Sequence, residues 1–245
     1  MAGINTITIL YAVLGGMVPT FLWLWFWLAE ENDHRQPVGL IVFAYLGGIL
    51  AVLVLLPTKP FIQSFNFTPQ VFNIVGAGLE ELAKFLVVAL ITFSGRALVE
   101  ATDYTIFLVT GALGFSALEN TLYLINPILQ KTDLGAIIIT GNMRFLGATV
   151  LHSMSVAIVG VALGLAFSEG FFMKCFNALV GLALAIALHS AFDYFIMQNT
   201  RQGTIIAIAG IWFVAVIIII IFDRLRALQA HVGTLAQGTA TAQPH

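Results

Sequence analysis

The chain has 245 residues, of which 60% are hydrophobic and only 9% charged, with a formal net charge of −2 and a mean hydropathy of +0.99. Soluble domains carry about 25% charged residues, so this composition excludes a water-soluble domain, and the balance of charge excludes nucleic acid as a partner. A single cysteine, Cys175, rules out an internal disulfide and a cysteine-based metal cluster.

The expected fold class is all-α: a polytopic transmembrane helical bundle of about seven spans in a lipid bilayer, without a soluble domain. A span needs about 20 apolar residues. The first runs from Ile7 to Leu28 and ends in Trp23, Trp25, Phe26 and Trp27, aromatics that favour the lipid–water interface. No Lys or Arg precedes Arg35, which argues for a retained span over a cleaved signal peptide. The second span is Val38 to Leu56, followed by an irregular connector with Pro57, Pro60 and Pro69. The third, Val71–Phe93, carries Glu80, Glu81 and Lys84. The fourth, Asp103–Ile125, carries Glu119 and Asn120. The connector Asn126–Arg144 includes an apolar part, Leu134–Thr140, expected to dip into the interface. The fifth span, Phe145–Phe167, carries His152; the sixth, Phe172–Met197, carries His189 and Asp193; the seventh, Thr204–Phe222, is plain apolar. The expected organisation is two N-terminal helices and a connector over 1–70, a four-helix catalytic core over 71–197, a C-terminal span over 198–230 and a disordered tail over 231–245.

Ionisable groups inside a span cost about 2.5–3.5 kcal/mol each on insertion scales, so those retained are functional candidates. Glu80 and Lys84 are four apart and are expected to pair on one helix face; Glu81, about 100° further round, has no partner on its own helix. Spans three to six alternate in direction. Glu80, Glu81, Glu119, His152 and His189 all fall six to ten residues from the span end on one face of the membrane. That places them at one depth, roughly 9–15 Å in, and predicts a buried polar cavity open to that face. A carboxylate among apolar walls suits a general base for water, a neutral histidine can bind metal or move a proton, and Asn120 adds an amide donor for a developing negative charge. Asp193, four after His189, is placed to fix its imidazole tautomer.

In order and spacing, these residues resemble the PrsW-type intramembrane proteases, relatives of the type II CAAX prenyl endopeptidases. The pattern is E-E-x-x-K at Glu80, Glu81 and Lys84, F-x-x-x-E-N from Phe115 to Glu119 and Asn120, a histidine at His152, and H-x-x-x-D from His189 to Asp193. The CAAX form expects Arg where this chain has Phe85 and His where it has Glu119, so processing of prenylated tails is not expected. The resemblance implies intramembrane peptide-bond hydrolysis by a metallo- or glutamate-dependent protease. Its substrate would be a single-pass membrane protein or membrane peptide. Glu80, Glu81, Glu119, His152 and His189 would be catalytic, with Glu81, helped by Glu80, as the water-activating base. Lys84, Asn120 and Asp193 would support them. Zinc is the candidate cofactor, with Glu81, Glu119, His152 and His189 as candidate ligands. Two alternatives stay open: an inactive scaffold of the same fold, which predicts that Glu81 is dispensable, and a proton-coupled transporter, which predicts a pathway to both faces. Loop charges lean towards a cytoplasmic C-terminus, four on the N-terminal side (Lys59, Lys131, Arg144, Arg201) against five on the other (Arg35, Arg96, Lys174, Arg224, Arg226).

Overall fold

The computed structural model describes residues 6–30, 36–93, 98–130, 139 and 141–241. Among these there are seven long helices, one short one and no strand. They are α1 (Thr6–Glu30), α2 (Val38–Leu55), α3 (Thr58–Gln63), α4 (Pro69–Thr92), α5 (Asp103–Leu129), α6 (Thr149–Leu165), α7 (Phe171–Met197) and α8 (Arg201–Thr241). A π-turn, Arg144–Ala148, leads directly into α6.

Six of the long helices are apolar enough to cross a membrane. The seventh, α4, has 24 residues and is set apart by Glu80, Glu81 and Lys84. It packs within the same bundle, against α2, α5 and α7. The expected span boundaries agree with the helices to within a few residues, except at the C-terminus. There α8 continues through 231–241, where the composition predicts a tail; extending an existing helix costs far less than starting one. Residues 242–245 lie outside the described residues. So does most of the apolar connector Leu134–Thr140.

Two helices form the centre. α5 touches α1, α2, α4 and α6, and α6 touches α5, α7 and α8. Small residues allow this density. A Cβ on Gly48 of α2 would run into the Gly111 carbonyl of α5, and one on Gly114 would run into the Tyr45 carbonyl. Close backbone approach of this kind is how helices associate where lipid removes the hydrophobic drive. Polar bonds add to it: Tyr45 and Thr20 hydroxyls meet at 2.7 Å, linking α2 to α1.

Local sequence sets the entry of α4. Thr68 is its N-cap, its hydroxyl accepting from the Val71 N–H, and Pro69 follows at the first helical position, where a missing N–H costs nothing. Asn66, at φ 49°, turns the chain between α3 and α4, a left-handed conformation that Asn tolerates better than most residues. The result sets α3 against α4, with Lys59 within reach of Glu80.

Candidate functional site

The four helices α4 to α7 bring their ionisable side chains into direct contact. On α4, Glu80 and Glu81 point in different directions, as consecutive helical residues must. Glu81 is fully buried. Its Oε1 accepts from Lys84 Nζ at 2.6 Å and lies 2.6 Å from His189 Nδ1. Lys84, equally buried, also reaches His152 Nδ1 at 3.1 Å. The expected pairing is therefore corrected. Lys84 joins Glu81 at i,i+3 and not Glu80 at i,i+4, because the side of α4 carrying Glu81 and Lys84 faces the bundle interior. Glu80 turns instead towards the bundle mouth. There Lys59 of α3 lies 3.7 Å from Oε1 and His189 Nε2 lies 3.8 Å from Oε2.

An ammonium can only donate. With Lys84 on its Nδ1, His152 carries its proton on Nε2 and donates it to Glu119 Oε2 at 2.9 Å. His152 and His189 stand edge to face with ring centres 5.2 Å apart. Asp193 Oδ2 is 3.6 Å from His189 Nε2 and partly exposed. The carboxylate that orients the His189 ring is thus Glu81, at hydrogen-bond distance on Nδ1, where sequence spacing had pointed to Asp193.

Two cations at the site were not singled out by sequence. Lys59 sits in the connector, and Arg144 reads as the last residue of a loop. Arg144 Nη2 donates to Glu119 Oε2 at 2.5 Å, its Nε donates to Asn120 Oδ1, and its guanidinium stacks over Tyr123. The π-turn makes this possible: the extra residue per turn rotates Arg144 towards α5. Its unusual backbone is supported by Thr149, whose hydroxyl donates to the Arg144 carbonyl, and by Trp212 of α8, whose indole donates to the Leu146 carbonyl at 2.9 Å. Turns of this type cluster at functional sites. Asn120 is correspondingly not aimed at substrate. Its amide nitrogen donates to Ser116 and Thr149 hydroxyls, and its oxygen receives Arg144, so it braces the guanidinium.

A cavity of about 370 Å³ opens on this cluster. Its polar wall is Glu80, Glu119 and Lys59; the rest is Val52, Leu55, Leu56, Phe115, Leu122 and Tyr123. Glu81 is not in the wall, and the carboxylates that meet the cavity are Glu80 and Glu119.

One group of ligand atoms has metal-site spacing: one each from Glu80, His152 and His189, all within 4.8 Å of one another. Two imidazoles and a carboxylate match the donor set of many catalytic zinc sites. His189 has the layout of a ligand, with Nδ1 held by a carboxylate and Nε2 facing Glu80. His152 has both nitrogens engaged, so loading would make it release either Lys84 or Glu119. Glu81 and Glu119 are hydrogen-bond partners of this trio, Glu81 on His189 and Glu119 on His152.

Two carboxylates on a cavity wall, with two imidazoles in contact behind them inside a helical membrane bundle, make a site for an enzyme that meets its substrate in the bilayer. The chain belongs to the PrsW family of intramembrane metalloproteases, whose model matches residues 36–222. It is similar to the protease PrsW of Clostridioides difficile (strain 630), 26% identical over 84% of this chain and 87% of the relative. It is also similar to the protease PrsW of Geobacillus kaustophilus (strain HTA426), 21% identical over 78% and 82%. No solved structure matches. The protein is a multi-pass membrane protease.

Proposed function

We propose that the protein hydrolyses a peptide bond in a single-pass membrane-protein substrate whose chain enters the Glu80–Glu119 cavity. The observation that supports this is the split between the carboxylates: Glu80 and Glu119 line the cavity, while Glu81 is sealed behind them. Glu80 takes the proton from the attacking water as the new C–O bond forms. Lys59, half exposed at the rim and 3.7 Å from Glu80, offers its ammonium to the developing oxyanion. Glu80 then returns the proton to the leaving amine as the C–N bond breaks. Glu81 and Lys84 work one layer back, holding His189 and His152 in place.

Glu80, His152 and His189 are also the residues that would hold a zinc ion, which when bound would supply Lewis acidity towards water and the scissile carbonyl. Glu80 would then serve as a ligand, leaving Glu119 as the other carboxylate on the cavity wall.

The test is cleavage of a quenched single-span peptide library by purified protein, with metal content measured on the same samples. Glu80→Gln should lower kcat by about 10²–10⁴-fold, the range for losing a general acid–base group, while keeping the unfolding temperature of the wild type. About one zinc per chain, lost together with activity in His189→Ala, would support the metal-loaded form. Cleavage unchanged in Glu80→Gln overturns the assignment.

A further inference from the structure

The cavity beside Glu80 and Glu119 is larger than a water molecule needs and is built from two kinds of wall. Val52, Leu55 and Leu56 from the end of α2 and Phe115 and Leu122 from α5 make an apolar chamber, closed on its third side by the two carboxylates. An apolar cavity of about 150 Å³ accepts a benzene-sized ring. At about 370 Å³ this one has room for such a ring and for the backbone that carries it. We infer that it is a subsite for one bulky apolar side chain, of leucine or phenylalanine size, on a residue flanking the scissile bond. This rests on the proteolytic reading above and names what that reading leaves open.

The occupant is a peptide and not a lipid tail because of the third wall. Both described hydrogen bonds to Glu119, from Arg144 and His152, fall on Oε2, and Lys59 and His189 stand 3.7 Å and 3.8 Å from Glu80. Hydrocarbon packed against this wall would therefore cover the remaining carboxylate oxygens without supplying a donor, which is costly. A peptide brings backbone N–H groups to those oxygens and puts its side chain against the leucines. Lys59 at the rim is placed for a carbonyl of the same peptide. The subsite is set by Val52 and Leu122, neither of which touches the ionisable cluster in any hydrogen bond or ion pair. Its size can therefore be changed without altering the groups that move protons. A hydrophobic pocket discriminates by about 10–200-fold per methylene, enough to set a clear preference.

The experiment uses the full-length protein in detergent and single-span peptides that differ only at the residue before the cut, as Ala, Leu or Phe. The cut is mapped by mass spectrometry. The wild type should prefer Leu or Phe to Ala by tenfold or more in kcat/KM. Val52→Phe and Leu122→Trp, which fill the chamber from α2 and from α5, should each reduce that ratio at least tenfold. A second readout does not need turnover. The same peptide carrying a photoreactive phenylalanine at that residue should crosslink to the Val52–Leu56 or Phe115–Leu122 segments in wild type and in Glu80→Gln, and lose those crosslinks in Val52→Phe. Equal cleavage of Ala, Leu and Phe peptides, or crosslinks elsewhere, overturns the subsite. Crosslinks at these segments without cleavage by the wild type leave the subsite standing and count against the proteolytic reading alone.

Discussion

Arg144 is held on three sides, by Glu119, Asn120 and the face of Tyr123. A fork of that shape is specific to guanidinium; a lysine ammonium is a point charge and cannot span both partners. Arg144→Ala would leave Asn120 Oδ1 buried without a donor and Glu119 with His152 as its remaining described partner. Leaving a buried acceptor unpaired costs about 1–3 kcal/mol, so a modest fall in unfolding temperature is expected along with a larger fall in kcat. Added guanidinium at millimolar concentration should restore part of the activity of Arg144→Ala, and Arg144→Lys should not reach it. A rescue experiment with no gain, in a variant that stays folded, would remove Arg144 from the working site and leave it as packing. Sequence could not have found this residue by spacing, because its direction depends on a π-turn that an ideal helical wheel does not contain. The same limit explains Glu81 and Lys84. Both i,i+3 and i,i+4 pairs face each other on a helix, and the choice was made by which side of α4 meets α6 and α7. What was legible was that Glu80, Glu81, Glu119, His152 and His189 come together at one depth, since helical rise alone fixes that.

Among elements, the α2–α5 contact matters most to the cavity, because Val52 and Leu55 lie on one helix and Phe115 and Glu119 on the other. Gly48 and Gly111 let the backbones touch one turn from those residues. Gly48→Ala must push α2 away from α5, since what its methyl meets is the Gly111 carbonyl and not a side chain that could swing aside. Gly76 of α4, a helical glycine too, has open space around its Cβ direction. The expectation is a clear drop in unfolding temperature and activity for Gly48→Ala and wild-type behaviour for Gly76→Ala, read by thermal unfolding in detergent and by the peptide assay. Equal effects would mean that helix propensity, and not close approach, decides. Helix positions were readable from apolar length because water-free surroundings force every backbone group into a helix. Partners were less so: α1 and α2 are apolar around almost their whole circumference, and the polar residues of α5, Thr105, Thr110, Ser116, Glu119, Asn120 and Thr121, mark a helix with a buried polar side without saying which helices surround it.

At the scale of the whole molecule, the open question is which side of the membrane the cavity faces. Its rim is made by α3 and the end of α5, on the side where the chain begins. The loop charges on that side include Arg144, but the structure turns Arg144 inward to Glu119 with little exposure, so it is part of the site and not a loop charge. Removing it leaves Lys59, Lys131 and Arg201 against Arg35, Arg96, Lys174, Arg224 and Arg226. Lys59 is further offset by Glu80. The excess of positive charge on the far side therefore grows once the site is taken into account, and positive loops stay in the cytoplasm. The cavity should open to the extracytoplasmic face. Cys175 reports on this directly: it is the only cysteine, it is exposed, and it lies in the first turns of α7, at the end away from His189. A membrane-impermeant maleimide should leave Cys175 unlabelled in intact cells and label it in inverted vesicles. Labelling in intact cells would reverse the orientation and place Lys59, at the rim of the Glu80–Glu119 cavity, on the cytoplasmic side, making the substrate a protein cleaved near its cytoplasmic end.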